Sequence, residues 1–118
     1  MSRVRVTYPA LTREQVIERL KQAQVNLERK LRVSRIILDG SYAEGRYTAG
    51  SDIDVIVIYE GEERPDAYKI VMEEVGLPRL EPKTYTADQF NALIFQSPTF
   101  AETLQKKAIV ISQPTRER

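Results

Sequence analysis

Apolar positions in the first third of the chain recur at steps of three and four residues. After Thr12 they fall at Val16, Leu20, Ala23, Leu27 and Leu31. This spacing places the side chains on one face of an α-helix. Thr12 with Gln15 three residues later forms a capping-box pattern at the start of that helix. We therefore predict an amphipathic helix over residues 12–31, with its charged positions in solvent.

Four shorter segments have the composition of β-strands. Residues 33–38 and 53–59 are apolar and β-rich, and the second run is continuous enough to predict a strand buried on both faces. Residues 79–85 predict a weaker strand that is an edge or carries a bulge, because Pro82 cannot donate to a ladder. Residues 108–111 predict a last short strand or a buried end segment.

Helical segments alternate with these strands. We predict a short helix near residues 42–46, a helix over 65–75 that Gly76 ends, one that Thr86 or Ala87 caps and that runs to about 95, and one over 98–107. The apolar side of the 65–75 helix is expected to contain Tyr68, Val71, Met72 and Val75. This alternation predicts an α/β (α+β) fold in which helices flank one small mixed sheet.

The 118 residues predict one domain, 1–118. Its ends are expected to be a short edge strand or arm over 1–8, where charged and apolar residues alternate, and a mobile tail over 112–118. No apolar run approaches the roughly 20 residues of a membrane helix. The first residues lack the apolar segment of a signal peptide, so we expect a cytoplasmic protein without a membrane partner.

Charge and composition narrow the chemistry further. The chain has 18 basic and 17 acidic residues, so no excess of positive charge indicates that it binds nucleic acid. It has no histidine and no cysteine, which excludes imidazole and thiolate metal ligands and Ser-His-Asp catalysis. A metal would have to be bound by oxygen atoms, which favours Mg²⁺ or Mn²⁺.

Two aspartates, Asp52 and Asp54, lie where the 53–59 strand begins. Residues two apart on a strand project from the same face, about 6.5–7 Å apart. The pair can therefore hold one or two cations, and a two-metal site suits in-line phosphoryl transfer. A bare Asp-x-Asp is also common, with the first aspartate in a turn and the second in an ion pair.

A Gly40-Ser41 turn follows the first predicted strand. Backbone N–H groups and a hydroxyl at such a turn can bind phosphate oxygens. The simpler interpretation is a strand-to-helix turn in which Ser41 is the N-cap.

The order and spacing of these features carry more information than the parts. The stretch GSYAEGRYTAGSDIDVIV, residues 40–57, resembles the nucleotidyltransferase superfamily that includes DNA polymerase beta. It is most similar to the minimal nucleotidyltransferases, and the likeness extends over about residues 33–111. The positions that match are Gly40, Ser41, Ala43, Gly45, Ser51, Asp52, Ile53 and Asp54.

The resemblance implies a polymerase beta-like fold and a site for two Mg²⁺ or Mn²⁺ ions. Asp52 and Asp54 would bind the metals together with a third carboxylate from a later strand, for which Glu81 is our choice and Asp88 the alternative. Asp88 also suits the N-terminal charge of a helix. Glu81 could instead be a surface carboxylate paired with Lys83 or Arg79.

The same resemblance implies a nucleotide site. Gly40 and Ser41 would bind the phosphates of ATP or another nucleoside triphosphate, assisted by Ser51. Arg46 either reaches the triphosphate or faces solvent. Tyr42 and Tyr47 either stack on a base or pack within the fold.

The implied reaction transfers a nucleoside monophosphate, AMP from ATP, to a hydroxyl acceptor and releases pyrophosphate. About 37 residues follow Glu81, too few for a substrate domain, so we expect a homodimer or a second polypeptide. In the resembling family this partner is a helical HEPN protein, which the nucleotidyltransferase adenylylates as an antitoxin. The alternatives are a non-catalytic antitoxin or regulatory module that occludes a helical partner, and transfer to a small molecule such as an aminoglycoside.

Overall fold

Helices and strands alternate along residues 11–112, the part of the chain that this computed structural model describes. The expected arm over 1–8 and residues 113–118 of the expected tail lie outside the described residues, whereas Ser112 ends the last strand. In chain order the elements are α1 (Arg13–Leu31), β1 (Val33–Asp39), α2 (Gly40–Glu44), β2 (Ile53–Tyr59), α3 (Ala67–Val75), β3 (Leu80–Thr86), α4 (Ala87–Gln96), α5 (Pro98–Lys107) and β4 (Ile109–Ser112).

The four strands form one mixed sheet in the order β3-β2-β1-β4. Strand β1 is antiparallel to both β2 and β4, and β2 is parallel to β3. Helix α3 supplies the crossover that parallel neighbours require. The mixed sheet is thus confirmed, and among the strands of residues 11–112 β3 lies at an edge, as Pro82 predicts.

Alternation along β2 divides its side chains between two cores. Val55 and Val57 pack with the apolar faces of α1 and α3 on one side of the sheet. Ile56 and Ile58 pack with Phe90 of α4 and other residues on the opposite side. Asp54 belongs to the second side by the period of two. The Asp54 carboxylate therefore lies on the face of the sheet that α4 and α5 cover further along β2.

Helix α1 confirms its prediction in detail. The Thr12 hydroxyl accepts from the backbone N–H of Gln15, and the Gln15 side chain accepts from the backbone of Thr12. All five predicted core positions are buried, and Leu20 and Leu27 are fully so. Truncating such a leucine to alanine typically costs about 2–5 kcal/mol. The amphipathic pattern therefore determines how this helix packs on the sheet.

Two helices start at other residues than the sequence predicts. Helix α2 begins at Gly40 rather than near 42, and α3 begins at Ala67 rather than at Pro65. The buried residues of α3 are Ala67, Val71 and Val75, which recur at every fourth position. The placement of Tyr68 on the apolar side was wrong: Tyr68 borders the buried stripe, about 60° around the helix from Val71, in the first turn of α3, and it is 50% exposed.

Candidate active site

Three carboxylates from three adjacent strands lie in one row across the sheet. Asp39 at the end of β1 is opposite Asp54 of β2, and Asp54 is in turn opposite Glu81 of β3. Opposite residues of paired strands project from the same face and lie close together. Asp52, the residue before β2, adds a fourth carboxylate at the same end of the strand.

Burial and charge act together on Asp54. Burial raises the pKa of its carboxyl above the ordinary value, Lys83 lowers that pKa, and Asp39, Asp52 and Glu81 each raise it. Lys83 is opposite Ile56, one position further along the same face. Ionised Asp54 is thus surrounded by more negative than positive groups, a situation that a bound cation relieves.

The donor types at this row fit a hard divalent cation, because every acidic group there offers only carboxylate oxygens. The side chains of residues 11–112 nevertheless bring no three acidic groups close enough together to hold one ion as they stand. Binding of a metal would require rotation of side chains, of which Asp52 and Glu81 are exposed. The register of the strands places the carboxylates near one another, and rotation of the side chains would bring their oxygens onto a common ion.

Gly40 makes close approach to Asp54 possible. Its φ is +68°, in the left-handed region that favours glycine. A β-carbon on Gly40 would overlap Oδ2 of Asp54 and lie 3.1 Å from its Cγ. The glycine of the Gly-Ser turn is therefore required by the carboxylate beside it. Its N–H lies in the first turn of α2, next to the carboxylate row.

Of the two serines predicted to bind phosphate, Ser51 has a hydroxyl that also holds the local turn. The Ser51 hydroxyl accepts from the backbone N–H of Thr48 at 2.8 Å, and the Ser51 N–H donates to the Thr48 carbonyl at 3.1 Å. Ser51 therefore closes the turn that leads to Asp52. Ser41 is half-buried in α2 and its carbonyl accepts from the N–H of Arg46 at 2.9 Å.

Arg46 is exposed and its Nε donates to Oε1 of Glu44 at 3.1 Å. Its placement agrees with the solvent-facing alternative, and no contact in the described residues links its guanidinium to the carboxylate row. The pair with Glu44 is on the surface, where such pairs contribute little to stability.

Tyr42 and Tyr47 stack on each other, with ring centroids 4.2 Å apart and planes 8° from parallel. The Tyr42 hydroxyl donates to the Leu11 carbonyl at 2.9 Å, and the Tyr47 hydroxyl accepts from the N–H of Arg13 at 3.0 Å. Burial, and secondarily Tyr47, raise the pKa of Tyr42. The packing interpretation holds for both rings, and they fasten α2 to the first turn of α1.

Asp88 lies far from the carboxylate row. It is in the first turn of α4, after Thr86, which pairs with Tyr59 at the opposite end of β2. Five steps along the strand separate that pair from the pair of Asp54 with Glu81, or about 16 Å at the rise of a strand. The sheet therefore brings Glu81, and not Asp88, beside Asp54.

Sequence reasoning missed two residues of this region. It gave Asp39 no role in the site, and it named Arg79 only as a possible surface partner of Glu81. In the structure Asp39 joins the row, and Arg79 Nη2 donates to the Gly50 carbonyl at 2.7 Å and lies 3.6 Å from Oδ1 of Asp52. Neither contact leaves a local sequence signal, because each depends on the register or the fold of a distant segment.

Comparison with known proteins identifies a family and a similar fold. A family model described as a nucleotidyltransferase domain matches residues 14–111. Among solved structures, the chain is similar to a proposed nucleotidyltransferase from Sulfolobus solfataricus, with 13% sequence identity and a TM-score of 0.57. That match covers 88% of this chain and 86% of the other, and at this identity it shows the shared fold.

Two further comparisons are negative. No curated protein sequence matches the chain significantly. Among the helices of residues 11–112, none combines the length and the apolar character needed to cross a membrane.

Proposed function

Because the chain belongs to the nucleotidyltransferase domain family, we propose that it is a metal-dependent enzyme that transfers a nucleoside monophosphate to a hydroxyl acceptor. Membership of this family supports nucleotidyl transfer as the general activity. The proposal adds the metal, ATP as the nucleotide donor, AMP as the transferred group and pyrophosphate as the product. We expect the reaction in the cytoplasm, where ATP and Mg²⁺ are both available.

One observation carries the metal dependence: Asp54 has a carboxylate opposite it on each neighbouring strand, Asp39 and Glu81. In the proposed site Asp52 and Asp54 hold the nucleotide-bound cation, and Glu81 joins them in holding a second. Mg²⁺ or Mn²⁺ bound there would neutralise charge on the transferring phosphoryl group and favour ionisation of the attacking hydroxyl.

The chain's own groups would orient the triphosphate. The backbone N–H of Gly40 and the hydroxyl of Ser41 lie in the first turn of α2, beside Asp54, and are proposed to bind phosphate oxygens. Ser51 would assist by keeping the turn before Asp52 closed. Arg46 would have to leave Glu44 to contribute.

The proposed step is a single displacement at the α-phosphorus of the nucleotide. The acceptor oxygen forms a bond to that phosphorus as the bond to the bridging oxygen of the β-phosphate breaks. Pyrophosphate leaves with the electron pair of that bond, and the hydroxyl proton passes to solvent. In-line geometry of this kind needs the acceptor on the side opposite the leaving pyrophosphate.

The acceptor is proposed to come from another polypeptide. After Glu81 the described chain continues into α4, α5 and β4, and Phe90 and Leu104 of these helices fill the second core rather than forming a substrate domain. A second copy or a HEPN-type helical protein would therefore supply the hydroxyl. Adenylylation of such a partner would make this chain the antitoxin of the pair.

A second candidate, a non-catalytic module that occludes a helical partner, is supported by one observation. The acidic side chains of residues 11–112 do not converge on a ready three-ligand metal site. Label transfer separates the candidates. The chain is incubated with each nucleoside triphosphate labelled at the α-phosphate, with Mg²⁺ or Mn²⁺, and with cell lysate or a co-encoded protein. The enzyme predicts protein-bound label from α-labelled but not from γ-labelled ATP. Absence of transfer under every condition would favour the occluding module.

A further inference from the structure

Arg79 precedes β3 in a backbone conformation that is unusual for its residue type. Its φ is 61°, in the left-handed region, and no β-carbon-bearing residue adopts that region without cost. The Arg79 carbonyl accepts from the N–H of Ile53 at 2.8 Å. Ile53 is the residue between Asp52 and Asp54, so the backbone of Arg79 is tied directly to the metal-binding pair.

The side chain of Arg79 returns to the same place. Nη2 donates to the Gly50 carbonyl at 2.7 Å and lies 3.6 Å from Oδ1 of Asp52. Within residues 11–112, the guanidinium forms no other hydrogen bond or ion pair. An arginine has five N–H donors, so Nε and Nη1 are available to a ligand, and the Arg79 side chain is 53% exposed.

Stabilisation of the fold is a weak explanation for this placement. Asp52 is as exposed as Arg79, and exposed ion pairs contribute little to stability. Left-handed conformations of residues other than glycine concentrate at functional sites, where the surrounding structure maintains them. The placement holds the Arg79 guanidinium beside Asp52, which is proposed to hold the nucleotide-bound metal.

We propose that Arg79 is a nucleotide-binding residue whose guanidinium donates to phosphate oxygens of the bound triphosphate. The inference rests on the proposed function. A triphosphate that shares a metal with Asp52 lies within a few ångströms of that carboxylate, and Arg79 is already there. The planar fork of arginine matches phosphate geometry through two parallel hydrogen bonds. Arg46, which the motif places nearby, is instead paired with Glu44.

The test measures two affinities separately, for Mn²⁺ alone and for ATP with Mg²⁺, by calorimetric titration. Arg79→Gln is expected to weaken ATP binding by about 10- to 100-fold, the range of hydrogen bonds to charged groups. Its affinity for Mn²⁺ alone should be unchanged or higher, because a cation beside Asp52 has been removed. Arg79→Lys, which keeps the charge without the fork, should be intermediate. Arg29→Gln, on the exposed side of α1, is the matched control and should leave both affinities unchanged.

Two results would overturn the inference while the proposed function stands. One is wild-type ATP affinity in Arg79→Gln. The other is an equal loss of Mn²⁺ and ATP affinity, which would mean that Arg79 only orders the turn before Asp52. If Arg79→Gln unfolds, Arg79→Gly accepts the same φ and removes the same guanidinium, and is read in its place. Wild-type protein that binds Mn²⁺ but no nucleoside triphosphate would overturn the proposed function together with this inference.

Discussion

Asp54 and Glu81 are directly opposite each other on the parallel strands β2 and β3. Their side chains project from one face of the sheet although helix α3 separates the two strands in sequence. The proposed metal site is therefore assembled by strand pairing, because only two of its three proposed ligands, Asp52 and Asp54, lie in the motif.

Removal of the negative charge at Asp52, Asp54 or Glu81 is expected to reduce transfer strongly while the protein stays folded. Asn or Gln keeps the shape of each side chain but is a far weaker ligand for Mg²⁺. We expect a loss of about 10²–10³-fold for each variant, in keeping with the several kcal/mol that metal ions contribute to such reactions. Transfer of α-labelled nucleotide measures activity, and circular dichroism measures the fold.

Asp88→Asn is the matched control, since Asp88 lies at the other end of β3. It should retain full transfer activity. An inactive Asp88→Asn together with an active Glu81→Gln would place the third carboxylate in α4 and refute the assignment of Glu81.

Gly40→Ala is expected to lower both stability and activity. The left-handed φ alone costs about 1–2 kcal/mol for a residue with a β-carbon, and that carbon would also overlap the Asp54 carboxylate. Gly50→Ala is the control, because no atom lies within 4 Å of the position that its β-carbon would take. Urea unfolding measures the change in the free energy of unfolding for both variants. Equal losses of stability would contradict the requirement for glycine at position 40.

Because the pKa of Asp54 is raised in the folded state, the difference in stability between the wild type and Asp54→Asn should depend on pH. Burial makes ionised Asp54 unfavourable in the folded state, so stability that the protonated form provides is lost as pH rises through the folded pKa. At neutral pH we expect Asp54→Asn to be the more stable protein when no metal is present. This gain should disappear as pH falls below the folded pKa towards the ordinary aspartate pKa of about 3.9. Thermal melts at a series of pH values with EDTA test this; a gain that is independent of pH would contradict it.

Asp39→Asn is expected to raise the melting temperature of the metal-free protein. Asp39 raises the pKa of Asp54 and so opposes its ionisation. Among the described residues Asp39 makes no side-chain hydrogen bond as the N-cap of α2, and Asn serves equally well at that position. Asp88→Asn removes the same charge in the first turn of α4 and should lower stability slightly. Melting in EDTA compares them, and a shift of the same sign in both would argue against repulsion within the row.

Added Mn²⁺ is expected to raise the melting temperature of the wild-type protein, and EDTA should reverse the effect. An ion that binds the folded state alone stabilises it by about 2.7 kcal/mol at a concentration one hundred times its Kd. The gain should vanish when Asp52 and Asp54 are both replaced by asparagine. A wild-type protein whose melting temperature does not respond to Mn²⁺ would point to the occluding module instead.

The sequence predicts those features that depend on local patterns. The period of α1, the capping box at Thr12 and the two-faced burial of β2 are each encoded within a single segment, and the structure confirms them. The pairing of Asp39 with Asp54 depends on the register between two strands, which no segment encodes alone. Tyr68 was misplaced because the periodic pattern does not show how far the neighbouring core covers the first turn of a short helix.

The position of β3 at the edge of the sheet also bears on how the protein behaves at high concentration. An open edge strand can template pairing with another chain and so start aggregation. Pro82 has no N–H to offer such an intruding strand, and it directly follows Glu81. The proline that weakens the prediction of this strand thus disfavours the pairing of further strands with its outer edge.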